Sequence, residues 1–225
     1  MRRLLTIFFV LLGFQEPTEY EREVGALPPT LLEGGCHNPG VSITSPEREQ
    51  MVRRYAWSIF TSDAVRQVAE FVNGSAIDFG AGNGYLAYLL AKQSADVRAI
   101  DDWSWGKPDR LWHEVETGSY EKLADTSGHT LILSWPPARD PMALTALRAW
   151  NGTRLVYVGE IMRGTADPAF HDELARNWHL VERITIPQWQ NRSDAIFLFE
   201  RRDGAGDGWA WMKAELAKCT FDRSH

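Results

Sequence analysis

From Ala76 onward, short apolar-rich runs alternate with segments whose apolar residues recur every three or four positions. The runs Ala76 to Phe79, Val97 to Ile100, Thr130 to Leu133, Arg154 to Val158, Val181 to Ile186 and Ala195 to Glu200 read as strands, and Trp112 to Val115 as a short additional one. Between them, Tyr85 to Lys92, Met142 to Trp150 and Pro168 to Asn177 read as helices, with a shorter one at Tyr120 to Ala124. Repeated strand–helix units predict an α/β fold, a doubly wound and mostly parallel seven-stranded sheet with helices on both faces. The two successive strands at the end predict an antiparallel edge pair.

Upstream, Ser45-Pro46-Glu47 supplies an N-cap and a proline for the first helical turn, predicting a helix over Glu47 to Trp57. Ser62 or Asp63 can cap a second helix through Val65, Val68, Ala69 and Val72, closed by Asn73-Gly74. Residues 13 to about 45 are punctuated by Pro17, Pro28, Pro29, Gly34, Gly35, Pro39 and Gly40, and read as an irregular cap, lid or arm. At the N-terminus Arg2-Arg3 precedes an apolar stretch, Leu4 to Leu12. That pattern resembles the start of a signal peptide, but it is too short to span a bilayer and no Ala-x-Ala site follows. A buried N-terminal helix is the expectation; a signal peptide or an interfacial anchor is the alternative. Trp209 to Cys219 reads as a surface-packed helix. The chain divides into an N-terminal helical extension (1–44), a central domain (45–203) and a C-terminal tail (204–225).

Composition changes this picture in three ways. The formal net charge of −6 and the lack of any Lys/Arg run longer than two weigh against a duplex-gripping protein. The two cysteines, Cys36 and Cys219, give neither a disulfide framework nor a zinc spacing. They are expected to be reduced thiols in a cytoplasmic protein, with no metal bound. Ten tryptophans furnish core packing and, on the functional side, aromatic pocket walls.

The chemistry concentrates in Asp78-Phe79-Gly80-Ala81-Gly82-Asn83-Gly84-Tyr85, between a predicted strand and a predicted helix. Glycines there allow a sharp turn and close backbone approach to a ligand, with helix N-terminal amides facing it. The dinucleotide fingerprint G-x-G-x-x-G fails, because Tyr85 stands where its last glycine belongs. The P-loop fails for want of Gly-Lys-Ser/Thr. The remaining pattern, Asp-x-Gly-x-Gly-x-Gly, resembles the first motif of class I S-adenosylmethionine-dependent methyltransferases. That resemblance implies S-adenosyl-L-methionine as cofactor, with Asp78 fixing its methionine end and Gly80, Ala81, Gly82, Gly84 and Tyr85 around it. The second strand ends in Asp101-Asp102, placed to accept hydrogen bonds from ribose hydroxyls, Asp101 being the first choice.

Ser134-Trp135-Pro136-Pro137, after the fourth strand, resembles the Asp/Asn/Ser-Pro-Pro-aromatic motif of amino methyltransferases, with Trp135 inserted and Ala138 in place of the last aromatic. Stretches around Tyr55-Ala56-Trp57-Ser58-Ile59, Leu155 to Glu160 and Ile186-Pro187-Gln188-Trp189 resemble uncharacterised methyltransferase-like proteins over about residues 50 to 202. On this reading Ser134 and Trp135 touch cofactor or acceptor. Glu160 is the candidate base or acceptor-positioning group, or else a cap or ion-pair partner, and Asp194 and His171 are weaker candidates. Trp57, Trp135, Pro136 and Trp189 are candidate walls of the acceptor pocket. The expected function is methyl transfer to a small molecule or a protein side chain. Two alternatives stand beside it, a nucleic-acid amino methyltransferase and a non-catalytic cofactor-binding scaffold.

Overall fold

The structure, a computed structural model, describes residues 16–36, 44–202 and 208–218. The predicted N-terminal helix or signal at residues 1–15, and Cys219, lie outside these residues. Seven strands form one sheet: β1 (Ser75–Phe79), β2 (Asp96–Asp101), β3 (Val115–Thr117), β4 (Thr130–Ser134), β5 (Arg154–Gly159), β6 (Trp178–Ile184) and β7 (Ala195–Arg201). Their spatial order is β3-β2-β1-β4-β5-β7-β6. β2 and β4 flank β1 in parallel, β5 continues in parallel, and β7 runs antiparallel between β5 and β6. The doubly wound, mostly parallel sheet with an antiparallel pair at its end is therefore present. The chain reverses its direction of winding between β1 and β4, and that crevice is where such sheets bind ligands.

Period-two burial along the strands divides the core. Ala76, Ile132, Val156 and Val158 pack on one face, while Ile77, Leu131, Leu133, Leu155 and Tyr157 pack on the other. The helices are α1 (Glu19–Gly25), α2 (Pro46–Arg54), α3 (Ser62–Val72), α4 (Tyr85–Lys92), α5 (Met142–Ala149), α6 (Pro168–Asn177) and α7 (Trp209–Ala217). Among the described residues no helix is long and apolar enough to cross a membrane.

Five expectations change. α3 is capped by Thr61, whose Oγ1 accepts from Ala64 N–H (3.2 Å), rather than by Ser62 or Asp63. The stretch read as irregular before residue 45 contains α1, begun by a capping box in which Thr18 Oγ1 accepts from Glu21 N–H and Glu21 answers to Thr18 N–H. α2 stops at Arg54 rather than Trp57, because Tyr55 leaves helical geometry at φ −116°, ψ −88°. β3 begins at Val115, since the Trp112 N–H is spent on the Asn83 carbonyl (2.8 Å) beside the glycine loop. β6 begins at Trp178, directly after α6, and a bulge at Leu180/Glu182 resets its register. In addition, Cys36 is disulfide-bonded, which corrects the expectation of reduced thiols and removes the thiol argument for a reducing compartment.

α1 belongs to the core. Tyr20 is fully buried, stacks on Tyr55 at 4.8 Å and meets the Tyr85 ring edge-on at 6.1 Å. Its hydroxyl donates to the Ala56 carbonyl (2.9 Å) and accepts from Trp189 Nε1 (3.2 Å). Replacing Tyr20 by Ala leaves a cavity and two unpartnered groups. The expected cost is roughly 3–5 kcal/mol in a denaturant titration; a loss under about 1 kcal/mol would mean that α1 is only appended to the domain.

Candidate functional site

The glycine loop leaves β1 at the sheet's switch point. Gly80, Gly82 and Gly84 take positive φ values of 77°, 57° and 75°. A side chain is unfavourable at such angles. At Gly84 a Cβ would also lie 3.0 Å from both His113 and Val115 side chains, whereas nothing stands within 4 Å of the corresponding position at Gly82. The loop is thus packed from behind at Gly84 and open at Gly82. At Gly80 the nearest atom to an added Cβ is the tip of Met142, at 2.6 Å.

The loop amides are almost all taken. Gly80 and Ala81 N–H both donate to the Ile100 carbonyl, Gly82 N–H donates to Asp101 Oδ2 (2.8 Å), and Gly84 N–H donates to the Ala81 carbonyl. Tyr85 N–H is capped by Asn83 Oδ1 (3.1 Å). A phosphate-binding loop works by pointing free amides at its ligand. This one instead presents carboxylates, so the expectation of ligand-facing helix amides is replaced by an electronegative cradle. The Tyr85 side chain is buried in the core, where its hydroxyl accepts from Tyr20 N–H (3.3 Å), so only its backbone belongs to the loop.

Asp78 decides the character of the cradle. It is 1% exposed, and its Oδ1 has no hydrogen-bond partner. Burial, reinforced by the charge of Asp101, pushes its carboxyl up to about 7. Asp101 ties the loop to β2: its Oδ2 accepts from Gly82 and its Oδ1 from Trp103 N–H (2.8 Å), leaving lone pairs on both oxygens. Asp102 is exposed and accepts from Ser104 N–H (2.9 Å); hydrogen bonding from the Ser104 side chain, then from this N–H, holds its carboxyl low. Asp101, not Asp102, therefore faces the loop.

Beyond β4 the chain makes a second sharp turn. Ser134 is half-buried at the strand end, and Trp135 adopts φ +53° with its N–H on the Val158 carbonyl (2.8 Å). The Trp135 indole N–H donates to Ser58 Oγ (2.6 Å) and, more distantly, to Asp194 Oδ2 (3.3 Å). Ser58 Oγ itself donates to Asp194 Oδ2 (2.5 Å). Burial raises the Asp194 carboxyl, and these two donors moderate the shift. Trp57, 49% exposed, stacks on Trp135 with centroids 5.4 Å apart and planes 16° from parallel. The structure thus brings Ser134, Trp135, Trp57 and Asp194 together; Ser58 joins them because α2 ends early. Pro136 is buried, its carbonyl accepting from Ala166 N–H (3.0 Å).

Three candidates fall elsewhere. Glu160 is fully buried, paired with Arg192 Nη1 (3.3 Å) and bonded to Ser193 N–H (2.9 Å) and Oγ (3.1 Å). The structure gives it the ion-pair role, and a carboxylate so enclosed is not placed to take a proton from a ligand. Trp189 is 2% exposed and hydrogen-bonded to Tyr20, so it forms core rather than a pocket wall. His171 is buried with Nε2 near the Thr165 carbonyl (3.1 Å), and burial lowers its pKa. Among the described residues no group of three potential metal ligands occurs. A separate cavity of about 200 Å³ is lined in part by Ile161, Arg163, Arg183, Ser193 and Lys218. It does not include the glycine loop.

The strand order with its reversed seventh strand settles the architecture. The fold is Rossmann-like, of the methyltransferase type. No protein-family model matches the chain, and no curated protein does. Among solved structures it is similar to mitomycin 7-O-methyltransferase MmcR (14% identity, TM-score 0.43, over 72% of this chain and 61% of that one). It is also similar to Pyrococcus abyssi tRNA (uracil-54, C5)-methyltransferase (19%, 0.40, over 62% and 37%). A third is magnesium protoporphyrin IX methyltransferase from Synechocystis PCC 6803 (13%, 0.44, over 72% and 90%). The chain spans 61% and 37% of the length of the first two.

The buried Asp78 predicts a pH signature. Its folded pKa is raised, so its contribution to stability is fully present below the unfolded value near 4 and is lost as pH rises through about 7. Asp78→Asn removes the titration. Its melting temperature relative to the natural chain should rise between pH 5 and pH 8, by the equivalent of on the order of 3 kcal/mol. A difference independent of pH would contradict a buried, unpartnered carboxyl.

Proposed function

We propose that the glycine loop binds S-adenosyl-L-methionine and that the chain transfers its methyl group to a small molecule or a protein side chain. One observation carries this reading: a fully buried carboxylate with an unpartnered oxygen directly behind an open glycine turn at the sheet's switch point. Burying such an oxygen without a partner is costly, and a ligand ammonium supplies both the missing hydrogen bonds and the opposite charge. The filled amides of the loop argue against a phosphate, and the paired acids Asp78 and Asp101 argue for a ligand that is cationic at one end and hydroxylated at the other. S-adenosylmethionine meets both demands.

Asp78 would hold the amino end, Asp101 the ribose hydroxyls through its free lone pairs, and Gly82 would give close backbone approach. Met142, whose tip lies over Gly80, would move aside or pack on the ligand. When bound, the cofactor supplies a methyl carbon already activated by a sulfonium. The chain's own part is then to align an acceptor and exclude water. Ser134 Oγ, at the β4 exit, is the acceptor-positioning group, and Trp135, on which Trp57 stacks in this structure, forms the apolar wall beside it. With Glu160 sealed in its ion pair, no strong base is proposed; acceptors that lose their proton after, rather than before, attack suit such a site.

Calorimetry with S-adenosylmethionine and S-adenosylhomocysteine tests the cofactor. Binding requires ionised Asp78, so affinity should rise roughly tenfold from pH 6 to pH 8, and Asp78→Asn should flatten that slope. Asp101→Ala should weaken binding by about tenfold. Undiminished affinity in both variants would overturn the assignment.

A further inference from the structure

Beside the Trp57–Trp135 pair lie two buried arginines that the cofactor reading does not use. Arg48, on α2, is 5% exposed, and its guanidinium sits 5.5 Å from the Trp57 ring centre. Arg192, before β7, is 9% exposed, with its guanidinium 5.2 Å from the Trp135 ring centre. Arg192 Nη1 has Glu160 as partner, but its Nε has none. Among the described residues Arg48 belongs to no ion pair, and both its Nε and Nη2 are buried without a hydrogen-bond partner. Guanidinium cannot escape this by losing its proton, because its pKa stays far above neutrality.

Asp194 and Glu160 attract Arg48 through space, but neither gives its Nε or Nη2 a hydrogen bond. Asp194 is the nearby carboxylate not already ion-paired, and its Oδ2 is engaged by Ser58 and Trp135. Burial raises the Asp194 carboxyl, while the Ser58 and Trp135 donors act against that shift. Burial and then the charge of Arg192 lower the Arg48 pKa, and the Tyr20, Asp194 and Glu160 groups offset this only in part. Cation–π contact offsets part of the cost, yet aromatic faces do not satisfy N–H donors. A buried, forked and unpaired cation is the arrangement that recognises a carboxylate or phosphate in two-point fashion. Trp57 stands half-exposed over it, stacked on Trp135 as a flat ring. Moving Trp57 aside, with the irregular segment from Tyr55 to Phe60, would open both the Trp135 face and the Arg48 fork.

We propose that the acceptor is a small planar molecule bearing a carboxylate or phosphate, its ring lying on Trp135 in the place of Trp57 and its anionic group held by Arg48, with the Arg192 Nε as second donor. This rests on the methyl-transfer reading for its purpose, but the anion site is measurable without it.

The test is calorimetry of the full chain with benzoate, phenyl phosphate and the neutral, near-isosteric benzamide, each with and without saturating S-adenosylhomocysteine. Benzoate or phenyl phosphate should bind at least about tenfold more tightly than benzamide, and whichever of the two is tighter identifies the anionic group. Arg48→Gln should abolish the preference while leaving S-adenosylhomocysteine affinity unchanged, and Arg48→Lys should restore only part of it. If Arg48→Gln fails to fold, the comparison of anion with amide on the natural chain still decides. Equal affinities for the charged and neutral rings, or no binding of any of them, would overturn the proposal. Failure of S-adenosylhomocysteine to bind, with the anion preference intact, would sink the cofactor reading and leave the anion site standing.

Discussion

A carboxylate buried beneath a glycine turn organises this molecule. Asp78 occupies a strand position whose neighbours Ala76 and Ile132 belong to the core, yet one of its oxygens meets no donor. Sheet topology explains its position, since β1 lies between β2 and β4 and ends at the point where winding reverses. Core packing does not explain the acid itself, because an apolar residue would avoid the desolvation penalty entirely. The rest of the loop is consistent with this constraint. Its amides are pinned to Ile100 and Asp101, and its third glycine is backed by His113 and Val115. A rigid turn thus holds an unpartnered acid at the open edge of the sheet.

The opposite half of the site obeys a complementary rule. Around the β4 exit the exposed and half-buried surface is aromatic, and two arginines, Arg48 and Arg192, are buried beside it with donors left unpartnered. Trp135 reaches its position only because it tolerates positive φ, its N–H held by Val158 and its indole by Ser58 and Asp194. Such a conformation at a bulky residue persists where surrounding bonds over-determine it. An acidic cradle on one side and an arginine-flanked aromatic wall on the other give a site that is polar in opposite senses at its two ends.

Much of this was legible in the sequence because it follows from periodicity and punctuation. The α4 limits, Tyr85 to Lys92, and those of α6, Pro168 to Asn177, are fixed by local pattern. The loop's positive-φ positions coincide with its glycines. What escaped was tertiary. α1 was hidden among prolines, although Thr18-Glu19-Tyr20-Glu21 carries a capping-box signature. β3 slipped by three residues because Trp112 is an equally good strand former that packs on the loop instead. Glu160 sits where an active-edge acid belongs, and only the fold reveals Arg192 and Ser193 closing over it. Trp57 and Trp189 look alike in sequence, but one is half-exposed and the other is core. Arg48 carried no signal at all: arginine is ordinarily a surface residue, yet here it is 5% exposed beneath the Trp57 ring.

The most direct measurement is a crystal structure of the chain grown with S-adenosylhomocysteine. The expected result is the ligand's amino group bonded to Asp78, its ribose on Asp101, its backbone-facing edge along Gly80 to Gly84, and the Met142 tip displaced from Gly80. A structure in which the ligand is bound elsewhere, or in which Asp78 stays without a ligand contact while the loop remains covered by Met142, would contradict the central claim.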